Sequence, residues 1–158
     1  MVTNHRTYPS SRKATGLWLG EVTHFYEFIQ QVGYQMDFAS PQGGETPIDP
    51  RSLNGFFLDK NTKRYYHSEP FMQRLRNTRS PDAVHWRDYD AVYYAGGHGT
   101  MWDFPGNRRL QEISQGIYEN GGVVSAVCHG VSGMLNIKLS TGDYLINGKN
   151  VTGFSNVE

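Results

Sequence analysis

Among 158 residues there is a single cysteine, Cys128. An internal disulfide is therefore excluded, and a reducing, cytoplasmic setting is the expectation. No apolar run approaches the ~18–20 residues a membrane-spanning helix needs, and no signal-peptide pattern opens the chain. Net charge is missing too. Fifteen basic and fifteen acidic residues cancel, so no general field draws the chain to nucleic acid or an anionic membrane. No repeat and no shift of composition marks a boundary, and the length suits one domain over residues 1–158.

Glycine and tyrosine are abundant, with eighteen and ten copies. Glycine gathers at Gly43-Gly44, at Gly96-Gly97 with Gly99, and at Gly121-Gly122. Each group abuts a patterned segment and reads as a turn. Val22, Phe25, Phe28, Ile29 and Val32 recur at helical spacing over 21–32, and Gly33 stops that helix. The sequence further predicts strands over 34–40, 90–95 and 122–127, and helices over 70–79 and 107–120. A short helical start follows at 131–135, and a hairpin is predicted over 143–154 about Asn147-Gly148. Such alternation predicts an α/β fold with a parallel sheet between helical layers. The loops after 95 and 127 then lie at carboxyl ends of strands, where ligands bind in such sheets.

The β-branched run Gly122–Val127 ends abruptly at Cys128-His129-Gly130, a strand corner that holds the thiol accessible as a nucleophile. The thiolate is the attacking form, and backbone N–H groups of His129 and Gly130 are expected to point at the sulfur and lower its pKa. With an N–H from Gly97 or His98 opposite, the same donors make a candidate oxyanion hole. His129 is a candidate proton shuttle. Glu21 follows the apolar Gly16–Gly20 segment; buried there, its carboxyl would stay protonated and serve as acid and base, whereas the residues alone favour a solvated first-turn glutamate. The cations Lys60, Lys63, Arg64, Arg74, Arg76 and Arg79 read as a solvated face. Glu21-x-x-His24 has ligand spacing but no second copy, so no metal site is expected.

Taken together, Thr15–Glu21 (TGLWLGE), Ala39–Gly44 (ASPQGG), Asp49–Ser52 (DPRS), Ala95–Gly99 (AGGHG), Ala126–Gly130 (AVCHG) and Val151–Phe154 (VTGF) resemble the DJ-1/PfpI (class I glutamine amidotransferase-like) superfamily, in its Hsp31-like or glyoxalase III branch. That resemblance implies a flavodoxin-like three-layer sandwich with a nucleophile elbow, lacking the family's first strand and C-terminal elements. It implies a cysteine-dependent conversion of methylglyoxal to lactate without glutathione, metal or organic cofactor. Cys128 matches the nucleophile, His129 its partner and Glu21 the facing acid, while the histidine-orienting acid falls at or just beyond Glu158. Weak or no turnover is expected of the chain at this length. The resemblance also leaves room for a homodimer. The alternatives are a stress chaperone or protein deglycase, for which Phe56, Phe57, Tyr65, Tyr66 and Phe71 would form an exposed patch although core packing is their first reading, and an amidase or peptidase on the same elbow.

Overall fold

A computed structural model describes residues 1–153 of the chain. At its centre β1 (Ala91–Tyr94) and β2 (Val123–Ala126) pair in parallel, with Tyr93 opposite Ser125. Alternation along β1 separates two cores. Val92 and Tyr94 pack with Leu110, Ile113 and Ile117 of α5 (Arg108–Glu119). Tyr93 and Ala95 face Val22 and Tyr26 of α1 (Leu19–Gln31). The sheet thus lies between helical layers, as expected of an α/β sandwich. On the α1 side, α2 (Lys60–Tyr66) and α3 (Glu69–Arg76) complete the layer. The crossover from β1 to β2 runs through the short α4 (Thr100–Asp103) and then α5.

Local chemistry explains the helix ends. Asn107 caps α5 by accepting the Leu110 N–H at 3.0 Å, and the buried stripe Leu110–Ile113–Ile117 keeps the helix on the sheet. Tyr94 is fully buried, its hydroxyl paired with Ser114 Oγ at 2.7 Å. α2 was not foreseen from apolar spacing. Its signal is the cap: Asp59 accepts the Thr62 N–H at 2.7 Å.

Three expectations are corrected. The helix over 21–32 forms, but it buries Leu19, Val22, Thr23 and Tyr26, while Phe28 and Val32 are exposed. A stripe that includes Leu19 and Tyr26 fits the sheet better than the stripe read from Phe28. The segment 34–40 is not a strand; only Ala39 pairs, in one parallel bridge with Arg79. Its earlier residues instead line a cavity of about 330 Å³ shared with the edge of β1. No hairpin forms about Asn147-Gly148 within the described residues. Successive turns occupy that stretch, and the reversal occurs upstream, where Leu139 and Leu145 N–H groups bond the Asp143 and Ile137 carbonyls. Asn-Gly there serves a turn that no pair of strands flanks.

The aromatic patch dissolves as well: Phe71 is buried, Tyr65 and Tyr66 pack against the core, and only Phe56 and Phe57 are exposed. The cationic cluster is largely neutralised locally, because Arg64 pairs with Glu27, Arg76 with Glu69, and Arg74 and Arg79 both with Asp37. Among the described residues no helix is long and apolar enough to cross a membrane. Replacing Asn107 with Ala is expected to lower unfolding free energy by about 1 kcal/mol in chemical denaturation, because the cap is lost; an unchanged midpoint would contradict this account of α5.

Candidate active site

Parallel pairing sets the carboxyl ends of β1 and β2 side by side, and the Val127 N–H donates to the Tyr94 carbonyl at 3.1 Å. The chain then turns sharply. Cys128 sits in the left-handed region at φ 53, a conformation that a residue with a side chain adopts only when its surroundings enforce it. A 3₁₀ segment, Cys128–Met134, follows. Beside it the loop after β1 passes so closely that a Cβ on Gly96 would lie 2.7 Å from Cys128 Cβ and 2.9 Å from the His129 nitrogen. Gly97 has φ 97, and a Cβ there would stand 2.1 Å from the Gly16 carbonyl oxygen. Glycine is required at both positions.

The first turn of α1 delivers Glu21 into this junction. Its Oε2 accepts the Gly96 N–H at 2.6 Å, and the carboxyl is also hydrogen-bonded to Cys128. Burial raises the Glu21 pKa, against the pull of those two bonds. Around it the site is apolar: Tyr93 stacks on Phe25 at 3.9 Å, and the Tyr93 hydroxyl donates to the Glu21 backbone carbonyl at 3.2 Å. Burial, reinforced by the Glu21 charge, pushes the Cys128 thiol up to about 11, while N–H groups of Gly97 and His129 directed at the sulfur work the other way. The expected lowering of the thiol is therefore corrected. Two backbone donors do not offset desolvation plus an adjacent carboxylate. Burial thus raises both groups, and the Glu21 charge adds to that rise at the thiol.

His129 Nδ1 lies 3.3 Å from Cys128 Sγ, close enough to take the thiol proton. The His98 ring lies 4.2 Å from the His129 ring. His98 has its pKa lowered by burial and by the nearby Arg51 charge. The donors aimed at sulfur are those of Gly97 and His129, because the Gly130 N–H is occupied by the Val127 carbonyl at 2.8 Å. Gly130 thus shapes the corner without supplying the expected donor. Glu158 lies outside the described residues. Glu21 and His24 do not meet: His24 Nε2 contacts Asp59 Oδ2 at 2.6 Å, whereas Glu21 faces the thiol.

Sequence reasoning missed two contributors. The buried Thr100 hydroxyl lies 2.9 Å from both the Gly97 and His129 carbonyls, tying the two loops together. Arg51 enters from the distant Asp49–Ser52 turn to contact His98 at 2.8 Å. A threonine one residue past a glycine loop and an arginine in a Pro-containing turn carry no spacing signal of their own. The arrangement offers an accessible-side thiol, two backbone donors, an imidazole and a buried carboxyl within one junction, which suits addition of sulfur to a carbonyl and proton transfer at the adduct.

Two outcomes follow. Glu21→Gln removes the neighbouring negative charge, so the thiol's titration midpoint should fall by about one pH unit, giving roughly tenfold more thiolate below it. The pH dependence of iodoacetamide alkylation reads this, and a midpoint that stays or rises contradicts the coupling. Gly96→Ala crowds backbone that cannot yield and should cost about 2 kcal/mol of stability; a neutral effect in denaturation would contradict the close approach.

The sequence profile described as the DJ-1/PfpI family matches residues 14–158. Glyoxalase 3 of Candida albicans is 36% identical over 158 residues, covering 97% of this chain and 66% of that protein. The glutathione-independent glyoxalase HSP31 of Saccharomyces cerevisiae is 36% identical over 148 residues, covering 90% and 61%. Among solved structures, Rapid Encystment Protein 24 KDa of Francisella tularensis superposes with a TM-score of 0.92 at 40% identity, covering 99% of this chain and 68% of that one. Glyoxalase III of Candida albicans gives 0.89 at 35% identity, covering 99% and 66%. The chain spans slightly under two thirds of the length of these curated relatives.

Proposed function

The chain belongs to the DJ-1/PfpI family, and from that premise we propose that the protein is a glutathione-independent glyoxalase acting on small 1,2-dicarbonyls such as methylglyoxal. The observation that carries this reading is the contact of Glu21 with both the Gly96 N–H and the Cys128 thiol. A carboxyl against the nucleophile can take up and return a proton where an adduct carbon would form. Relatives named as glyoxalases, 36% identical over most of this chain, support the substrate class.

Cys128 sulfur, its proton passed to His129 or Glu21, adds to the aldehyde carbon. The carbonyl π pair becomes an alkoxide that Gly97 and His129 N–H groups stabilise, and protonation gives the hemithioacetal. A base, Glu21 or His129, then removes the proton from that carbon, and the electron pair shifts to form an enediol. Reprotonation at the neighbouring carbon leaves a thioester with a secondary alcohol. Water cleaves the thioester, releasing lactate and returning the proton to sulfur. Carbon is oxidised at one centre and reduced at the next, so no external redox partner enters the balance.

A buried carboxyl suits this sequence better than an exposed one. With its pKa raised by burial, Glu21 holds a proton closer to neutrality and moves it with less loss of driving force. Replacing Cys128 with Ala is expected to reduce glutathione-free lactate formation from methylglyoxal to the uncatalysed rate. Lactate assays decide the matter: turnover that survives Cys128→Ala removes the glyoxalase reading.

A further inference from the structure

We infer that Arg51 is a positioning residue for the Cys128 junction, fixing His98 as the neutral imidazole that carries its proton on Nε2. Arg51 Nη2 lies 2.8 Å from His98 Nδ1. A guanidinium only donates, so Nδ1 must accept, and the neutral ring then keeps its proton on Nε2. The donor cannot drift away. Asp49, with a fully buried side chain, takes Arg51 Nε on Oδ1 at 2.9 Å and Nη2 on Oδ2 at 2.5 Å. Thr15 Oγ1 at 3.0 Å and the Arg51 backbone N–H at 2.9 Å hold that carboxylate in turn. Tyr8 closes the other side: its hydroxyl lies 2.7 Å from Nη2 and its ring 5.8 Å from the His98 ring. The two Nη2 hydrogens therefore serve three acceptors, and His98 shares one of them with Tyr8.

The consequence falls on His129, whose ring is 4.2 Å from that of His98. Two imidazolium rings at that separation repel strongly. Arg51, the nearest fixed cation to His98, settles which ring stays neutral and leaves His129, 3.3 Å from Cys128 Sγ, to receive the thiol proton. The groups acting on His98 are thus Arg51, Asp49, Tyr8 and His129. Only the relevance of this charge pattern to turnover rests on the glyoxalase reading.

Nitrogen NMR of the histidine rings tests the inference without turnover. In the wild type, His98 should show an unprotonated Nδ1 and a protonated Nε2 between about pH 6 and 8. Arg51→Met should raise the His98 titration midpoint by about one unit and mix its tautomers, because both the donor and the cation are gone. Arg51→Lys, which keeps a charged donor, should restore the tautomer in large part. Tyr8→Phe, which frees the shared hydrogen, should leave it intact. A wild-type ring protonated on Nδ1 overturns the inference even if Arg51→Met fails to fold, as does an unchanged midpoint and tautomer in a folded Arg51→Met. Absent lactate formation with the tautomer in place overturns the glyoxalase reading alone.

Discussion

The carboxyl of Glu21, wedged between the Gly96 N–H and the Cys128 thiol, is the contact on which the site depends. It joins three pieces of chain that are far apart in sequence: the first turn of α1, the loop after β1 and the corner after β2. Each piece is shaped to reach it. Gly96 has no Cβ because one would strike Cys128, the Glu21 oxygen and the His129 nitrogen at once. Cys128 accepts a left-handed backbone, which turns its side chain toward the carboxyl and away from the strand direction. α1 starts at Leu19, so that Glu21 falls in its first turn, facing inward between buried Gly20 and Val22.

The electrostatics follow from that wedge. Burial raises the cost of ionising both groups; the Glu21 charge adds to it at the thiol, while the hydrogen bond with Cys128 eases it at the carboxyl. The sulfur gains two backbone donors, from Gly97 and His129, yet the thiol stays high because burial and the carboxylate outweigh them. Such a site holds its nucleophile in reserve. Reaction requires the proton to move within the cluster, to His129 or Glu21, when a carbonyl presents itself, and the chemistry proposed for the site uses that movement twice. The Asp49–Arg51–His98 chain extends the same logic outward, from a fully buried carboxylate through a pinned guanidinium to the imidazole beside His129.

The scaffold explains why these groups hold their places. Parallel pairing of β1 and β2 puts both functional loops at one end of the sheet. Thr100 then ties them through the Gly97 and His129 carbonyls. Alternation along β1 sends Tyr94 toward α5, where Ser114 satisfies its hydroxyl, and Tyr93 toward Phe25, where it walls the Glu21 pocket. Two solved structures superpose on 99% of the chain, with TM-scores of 0.92 and 0.89.

Much of this was legible in the residues. The apolar run ending at Cys128-His129-Gly130 fixed the strand and its corner, because a β-branched segment cut off by glycine has few other readings. The apolar lead-in to Glu21 and the glycine turn after Ala95 were visible too, but the residues alone favoured a solvated glutamate and an ordinary turn, and only the set of motifs together pointed further. The stripe of α1 that faces the sheet was not, because Tyr26 and Phe28 are alike as hydrophobes and only the packing partner chooses between them. Nor was the strand over 34–40 distinguishable from an extended edge segment, as alternation registers burial and not hydrogen bonding. The direction of the Cys128 pKa was misjudged for a related reason: the sequence shows the backbone donors beside the thiol, while the burial that outweighs them, and the carboxylate 107 residues away that adds to it, come only with folding. By itself, the sequence determined which residues are candidates for chemistry and which backbone turns are forced, since both are properties of neighbours along the chain. Only the tertiary structure decided which of those residues meet at one junction, that Gly130 gives its N–H to Val127, and that Arg51 reaches His98, because those depend on distances that only folding sets.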